Sequence, residues 1–142
     1  MLSSGGIGCD VRVVLDTNVL VGDAYAEGSA SARIVEACLD GWLEPVISPQ
    51  LRAEYERILP RAIRMPHWRE RYDRLLGRAI LVEPPSVPRL IVDDPSDDML
   101  VATALTGQAR ALITNDRHLL GLGAERGIWV ARPGEFVEAC LS

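Results

Sequence analysis

Four acidic residues stand where a folded chain could bring them together: Asp16, Glu54, Asp98 and Asp116. Asp16 ends the apolar run Val13-Val14-Leu15, and Asp116 ends Leu112-Ile113-Thr114-Asn115 in the same way. Asp98, with Asp97 beside it, precedes Met99-Leu100-Val101-Ala102, and Glu54 follows the pair Ser48-Pro49. Crowded carboxylates repel, and burying them uncompensated is costly or forces one to hold a proton, so a convergent set calls for cations. Oxygen-only ligands suit Mg²⁺ or Mn²⁺, and the absence of a neighbouring histidine or cysteine in the sequence argues against zinc. Two such ions ~3.5–4 Å apart would activate a water and stabilise the leaving oxygen of a phosphodiester, which makes metal-assisted hydrolysis the expected chemistry.

Each acid also has a plainer duty to weigh. Asp97 and Asp98 would complement a helix dipole in a first turn. Asp116 would serve a turn ahead of Arg117. Glu54 would pair with Arg57 on a solvated helix face. Asp16, directly after an apolar strand and beside Thr17 and Asn18, has no evident structural task in the sequence.

The elements that must position these residues follow from the patterning. Val11–Leu15 reads as a buried strand, Ala30–Trp42 as a helix and Pro45–Ile47 as a second strand. Ser48 followed by Pro49 is a helix start, with Leu51, Tyr55, Ile58 and Leu59 on one face. Pro66 divides that helix from His67–Arg78, and Ala79–Val82 gives a third strand before a proline-rich loop, Glu83–Arg89. Ser96 is placed to cap a helix from Asp97 to about Thr106, apolar enough to be buried on most sides. Ala111–Thr114, Arg117–Leu122, Ile128–Ala131 and Gly134–Leu141 continue the alternation as strand, helix, strand and helix. Such alternation predicts a three-layer α/β domain, a parallel sheet covered by helices on both faces, with ligands beyond the carboxyl ends of its strands.

The 142 residues fit one domain, expected over 11–142 after a flexible, glycine-rich segment 1–10. Hydrophobic residues make up 48% and charged residues 25%, which excludes a disordered chain. No run approaches the length of a membrane span and no cationic, apolar leader opens the sequence, so the cytoplasm is the expected location and no membrane partner is expected. Cys9, Cys38 and Cys140, odd in number and widely spaced, read as reduced structural thiols. The net charge of −5 weighs against a general nucleic-acid binder, but it is unevenly spread. All 15 basic residues are arginine, and eight of them fall between positions 52 and 78, a stretch that nets +4 and leaves −9 elsewhere. Within it, Arg69, Arg71 and Arg74 are candidate RNA contacts, with Tyr55, Trp68 and Tyr72 as rings that would stack on bases; the alternative is a solvated helix face with the rings in the core. His67 and His118 belong to no recognisable nucleophile motif and are expected at the surface.

The four acidic motifs resemble those of the PIN-domain family, and more closely its prokaryotic toxin branch. The matching pieces are Leu15-Asp16-Thr17-Asn18-Val19-Leu20, Ser48-Pro49-Gln50-Leu51-Arg52-Ala53-Glu54, Asp94-Pro95-Ser96-Asp97-Asp98 through Ala102, and Leu112-Ile113-Thr114-Asn115-Asp116. The resemblance implies a five-stranded parallel sheet and a Mg²⁺- or Mn²⁺-dependent endoribonuclease with Asp16, Glu54, Asp98 and Asp116 as catalytic, metal-binding acids. It implies Thr17, Asn18, Asp97, Thr114 and Asn115 as residues that orient them, with Asp98 preferred over Asp97 because it stands directly before the apolar helix. A toxin of this branch would act on RNA, bind a small cognate antitoxin and form a homodimer. Two alternatives belong to other classes. A haloacid dehalogenase-like phosphatase also uses a strand-end aspartate, but it wants an aspartate where Asn18 stands and a lysine the chain lacks. A non-catalytic PIN-like scaffold would be signalled by loss of an acid, and all four are present.

Overall fold

The computed structural model describes residues 11–85 and 95–141. Segment 1–10 with Cys9, loop positions 86–94 with Asp94, and the side chain of Ser96, expected as a cap, lie outside the described set. In chain order the elements are β1 (Arg12–Leu15), α1 (Thr17–Tyr25), α2 (Ala30–Leu39), β2 (Glu44–Ile47), α3 (Pro49–Ala62), α4 (Trp68–Gly77), β3 (Ile80–Leu81), α5 (Pro95–Thr106), β4 (Ala111–Ile113), α6 (Arg117–Arg126), β5 (Trp129–Ala131) and α7 (Pro133–Cys140). The five strands form one parallel sheet in the order β3-β2-β1-β4-β5.

Neighbouring side chains of a strand point to opposite faces. Val13, Val14 and Leu15 are all buried, as are Ala111, Leu112 and Ile113. Both faces of the central strands are therefore covered, which is the three-layer arrangement the patterning predicts. The chain winds outward from β1 through β2 to β3, then returns to place β4 on the other side of β1. The winding reverses between β1 and β4, where an open α/β sheet leaves a crevice beyond its carboxyl ends. Asp16 and Thr114-Asn115-Asp116 follow those two strands directly.

Several boundaries depart from the sequence expectation, each for a local reason. Helix α1 was not foreseen: its segment holds β-branched Val19 and Val21 and Gly22, poor helix formers, and its start is fixed by the Asp16 side chain, which accepts a hydrogen bond from the Thr17 amide. Helix α2 stops at Leu39, short of Trp42, because Gly41 turns the chain with φ of +85° and leaves the Trp42 ring 64% exposed. Helix α6 continues to Arg126, past Leu122, through Gly121 and Gly123. A side chain at position 123 would meet the Ile128 carbonyl and Val130 at 2.9 Å, so glycine lets α6 lie close on β5. Helix α5 buries Leu100, Val101, Thr103 and Ala104, keeps Met99 and Ala102 half-buried and exposes only Leu105 and Thr106 of residues 97–106, in keeping with the burial on most sides that its composition suggests.

One hydroxyl chain ties α5 to the start of α3. Thr103 Oγ1 donates to the Met99 carbonyl at 2.8 Å and lies 2.7 Å from Ser48 Oγ. The Thr103 proton is thereby spent, so Ser48 is the donor between them, and Ser48 Oγ accepts from the Leu51 amide at 3.2 Å as the cap of α3.

Candidate active site

Asp16 lies at the junction of β1 and α1, 9% exposed. Its amide donates to the Ile113 carbonyl at 2.9 Å, which locks it to β4. Its Oδ1 accepts from the Thr17 amide at 2.7 Å, and its Oδ2 accepts from Thr114 Oγ1 at 2.7 Å and Asn18 Nδ2 at 3.1 Å. Asp16 thus has a structural task that its sequence context concealed: it caps α1. Burial pushes its carboxyl above the ordinary aspartate range; the bonds from Thr114 and Thr17 oppose that shift, and the nearby Glu54 and Asp116 carboxylates add to it.

Thr114, fully buried, is the hub of the β4 end. Besides donating to Asp16 it accepts from the Asp116 amide at 2.9 Å. Asn115 donates its amide to Asn18 Oδ1 at 3.2 Å, so Asn18 and Asn115 bridge the crevice at the winding reversal. Asp116 in turn accepts at Oδ1 from the His118 amide at 2.9 Å, holding the start of α6. The turn duty of Asp116 is therefore real, and it coexists with a place in the cleft.

Glu54 reaches the same cleft from the second turn of α3. Its side chain is 13% exposed and accepts from Arg57 Nη2 at 3.2 Å. The next residue explains how α3 is seated. Tyr55, 2% exposed, donates its hydroxyl to the Leu15 carbonyl at 2.5 Å. That carbonyl closes strand β1 where the chain after β2 turns away into the α3 cap, and Tyr55 supplies a hydrogen bond there. Sequence reading placed Tyr55 on the apolar face but could not see its hydroxyl.

The cleft, of about 470 Å³, is lined by Asp16, Thr17, Asn18, Glu54, Asp97 and Asp116, with Val21, Arg57, Ile58 and Leu100. Asp98 is not among these lining residues; Asp97 is. The reason is helical phase. Consecutive residues of a helix point about 100° apart, and Asp97 shares the inward face with Leu100, Val101 and Ala104, at helical spacings of three, four and seven. Asp97 is 2% exposed, and its Oδ2 lies 3.7 Å from His118 Nε2 at the rim. Asp97, expected in an orienting role, thus lies in the cleft wall, while Asp98, preferred from its position before the apolar run, is half-buried beside it with both carboxylate oxygens out of solvent.

The carboxylates that line the cleft offer oxygens, which suit a hard cation, but the expected absence of a histidine near the acids does not hold, since His118 Nε2 stands 3.7 Å from Asp97 Oδ2. A carboxylate has about four acceptor sites. Asp16 uses three of them, leaving one for a ligand bond. Thr17 Oγ1 is buried in the cleft wall with no hydrogen-bond partner among the described residues, as expected of a group that meets a water or a hydrated ion. Among the described residues no three His, Cys, Asp or Glu side chains form a ready-made metal cage, so the acids line a cleft and do not close on one point.

Two of the three arginines chosen from the sequence, Arg69 and Arg71, hold ion pairs within the protein. Arg71 grips Asp23 through three hydrogen bonds of 3.0–3.1 Å and Glu36 through a fourth, tying α4 to α1 and α2. It lines a separate, largely apolar groove of about 710 Å³ between those helices, with Leu20, Trp68 and Tyr72. Arg69 binds Glu56 at 3.0 Å and lies over the Trp68 ring, while Arg74 is exposed and lines neither space. Tyr55 and Tyr72 are core rings, unavailable for stacking on bases. Among the described residues, the basic one that lines the acidic cleft is Arg57, which the sequence presented as a partner for Glu54. Among the described residues no helix is long and apolar enough to cross a membrane.

Comparison with known proteins places this geometry. No curated protein sequence matches the chain. Among solved structures, VapBC2 from Rickettsia felis bound to a DNA fragment from their promoter is similar, with a TM-score of 0.60 at 13% identity over 86% of this chain and 98% of that one. PAE2754 from Pyrobaculum aerophilum is similar with a TM-score of 0.57 at 19% identity over 93% of this chain and 91% of that one. At such identities the likeness is one of fold. The family model of the PIN domain, a family generally of nucleases, matches residues 12–118, a span that contains all four acidic motifs, and the chain belongs to the PIN-domain family.

Proposed function

We propose that the chain is a Mg²⁺- or Mn²⁺-dependent endoribonuclease, with Asp16, Glu54, Asp97 and Asp116 as its metal-binding acids. The observation that carries this reading is the meeting of these carboxylates in one cleft at the winding reversal of the sheet. A bound divalent ion would supply a water ionised near neutral pH and positive charge to offset that of the phosphodiester. The protein's own contribution is to hold the acids. Thr114 and Asn18 fix the Asp16 carboxylate, the Thr114 hydroxyl and the start of α6 fix Asp116, and Tyr55 seats α3 so that Glu54 faces them. Asp98, beside Asp97 in the first turn of α5 with both carboxylate oxygens buried, is the other acid of that helix, and the choice of Asp97 rests on the cleft lining.

We place the activity in a toxin–antitoxin pair: a small cognate antitoxin would cover the acids, and the toxin would be a homodimer in the cytoplasm. The fold likeness to VapBC2 supports that context. Family membership disfavours a haloacid dehalogenase-like phosphatase, and the presence of four cleft acids disfavours a non-catalytic scaffold. Purified protein incubated with single-stranded RNA should cleave it with Mn²⁺ or Mg²⁺ and not with chelator, and Asp16→Asn should abolish the cleavage. Cleavage by Asp16→Asn at the wild-type rate would refute the assignment.

A further inference from the structure

We infer that Arg57 is a substrate-binding residue of the cleft, and that its ion pair with Glu54 is a resting contact given up when Glu54 turns to a bound cation. The inference rests on the metal-dependent nuclease reading. Among the described residues that line the acidic cleft, Arg57 is the one arginine. It stands at the mouth: its side chain is 61% exposed while that of Glu54, to which it points at 3.2 Å, is 13% exposed. An ion pair this open is weak, because water screens the charges and ordering a long side chain costs entropy. It is therefore cheap to exchange.

Charge makes the exchange specific. A cleft walled by carboxylates repels the phosphates of a nucleic acid, so a cation at its rim would favour their approach. A guanidinium at the rim presents a planar fork of donors that matches a phosphate in two-point contact. With Glu54 engaged by metal, Arg57 loses its anionic partner at the moment when the substrate offers another. The same arginine thus shields Glu54 in the metal-free protein and holds phosphate in the loaded one. Arg69 and Arg71 of the same stretch do not offer this choice, being committed to Glu56, Asp23 and Glu36 away from the cleft.

The test compares wild type, Arg57→Ala and Arg57→Lys by calorimetric titration with Mn²⁺ alone and by steady-state cleavage of a single-stranded RNA across a range of salt. Arg57→Ala should bind Mn²⁺ as tightly as wild type or up to about fivefold more tightly, the range set by loss of an exposed competing pair. Its kcat/KM should nevertheless fall about tenfold or more, with the slope of log(kcat/KM) against log salt shallower by roughly 0.7, as for one lost phosphate contact to a single strand. Arg57→Lys, which keeps the charge but loses the fork, should recover the salt slope and only part of the rate. Wild-type kcat/KM and slope in Arg57→Ala would overturn the inference. So would a loss of Mn²⁺ affinity in step with activity, which would make Arg57 a support for Glu54 and not a substrate contact. Failure of the wild type itself to bind Mn²⁺ and cleave RNA would instead overturn the nuclease reading beneath it.

Discussion

Asp16 does two jobs with one side chain, and the hydrogen bonds around it explain how. One oxygen caps α1 through the Thr17 amide; the other is held by Thr114 and Asn18, so the carboxylate is both a structural cap and a fixed anion in a cleft. The opposite face of the same peptide unit is held by Tyr55, whose hydroxyl bonds the Leu15 carbonyl while the Asp16 amide bonds Ile113. Tyr55→Phe keeps the ring and its packing but strips the carbonyl of that donor in a buried place. Leaving a buried acceptor unsatisfied costs about 1–3 kcal/mol. Urea denaturation should show a loss in that range with an unchanged m-value; stability equal to wild type would mean that water replaces the hydroxyl. Of the acids that line the cleft, Asp16, Glu54 and Asp116 were legible because each follows a strand or a helix start recognisable from its neighbours. Asp97 was less so, since both members of Asp97-Asp98 suit a first turn and both have carboxylate oxygens withdrawn from solvent.

At the scale of elements, the strands were legible from their β-branched runs, and α3 from its serine cap and following proline. Helix α1 was not, because its residues are weak helix formers and its face is not strongly two-sided; its place is secured by Asp16 and by packing on α2 and α3. Close approach is a second feature hidden from local pattern. Gly107 follows α5, and a Cβ there would come within 2.4 Å of Val46 Cγ1 and 3.2 Å of the Thr103 carbonyl. Gly107→Ala should therefore wedge α5 away from β2 and cost about 1–3 kcal/mol, the usual range for overpacking. Thermal melts should record the loss, and adding Val46→Ala should make the pair less destabilised than the sum of the two single changes. Strict additivity would contradict the contact.

For the whole molecule, the order β3-β2-β1-β4-β5 is what turns separated acidic motifs into one site. Because winding reverses beside β1, residues about a hundred positions apart, such as Asp16 and Thr114, become hydrogen-bonded neighbours. The alternation of strands and helices announced a parallel sheet, but strand order is a long-range property that the local pattern does not carry. The polarised charge was legible too, yet its meaning was not: Arg69 and Arg71 are spent on ion pairs between helices, and among the described residues one arginine, Arg57, lines the acidic cleft.

The central claim is that the cleft acids, as the fold aligns them, form the metal-dependent site. It is tested most directly by cleavage of single-stranded RNA in Mn²⁺ by Asp97→Asn and Asp98→Asn side by side with wild type. Asp97→Asn should lose roughly 100-fold or more in rate, the scale on which one charge-stabilising group acts in an active site. Asp98→Asn, adjacent in sequence but outside the cleft lining, should stay within a few-fold of wild type. The reverse pattern, or full activity in Asp97→Asn, would contradict the account.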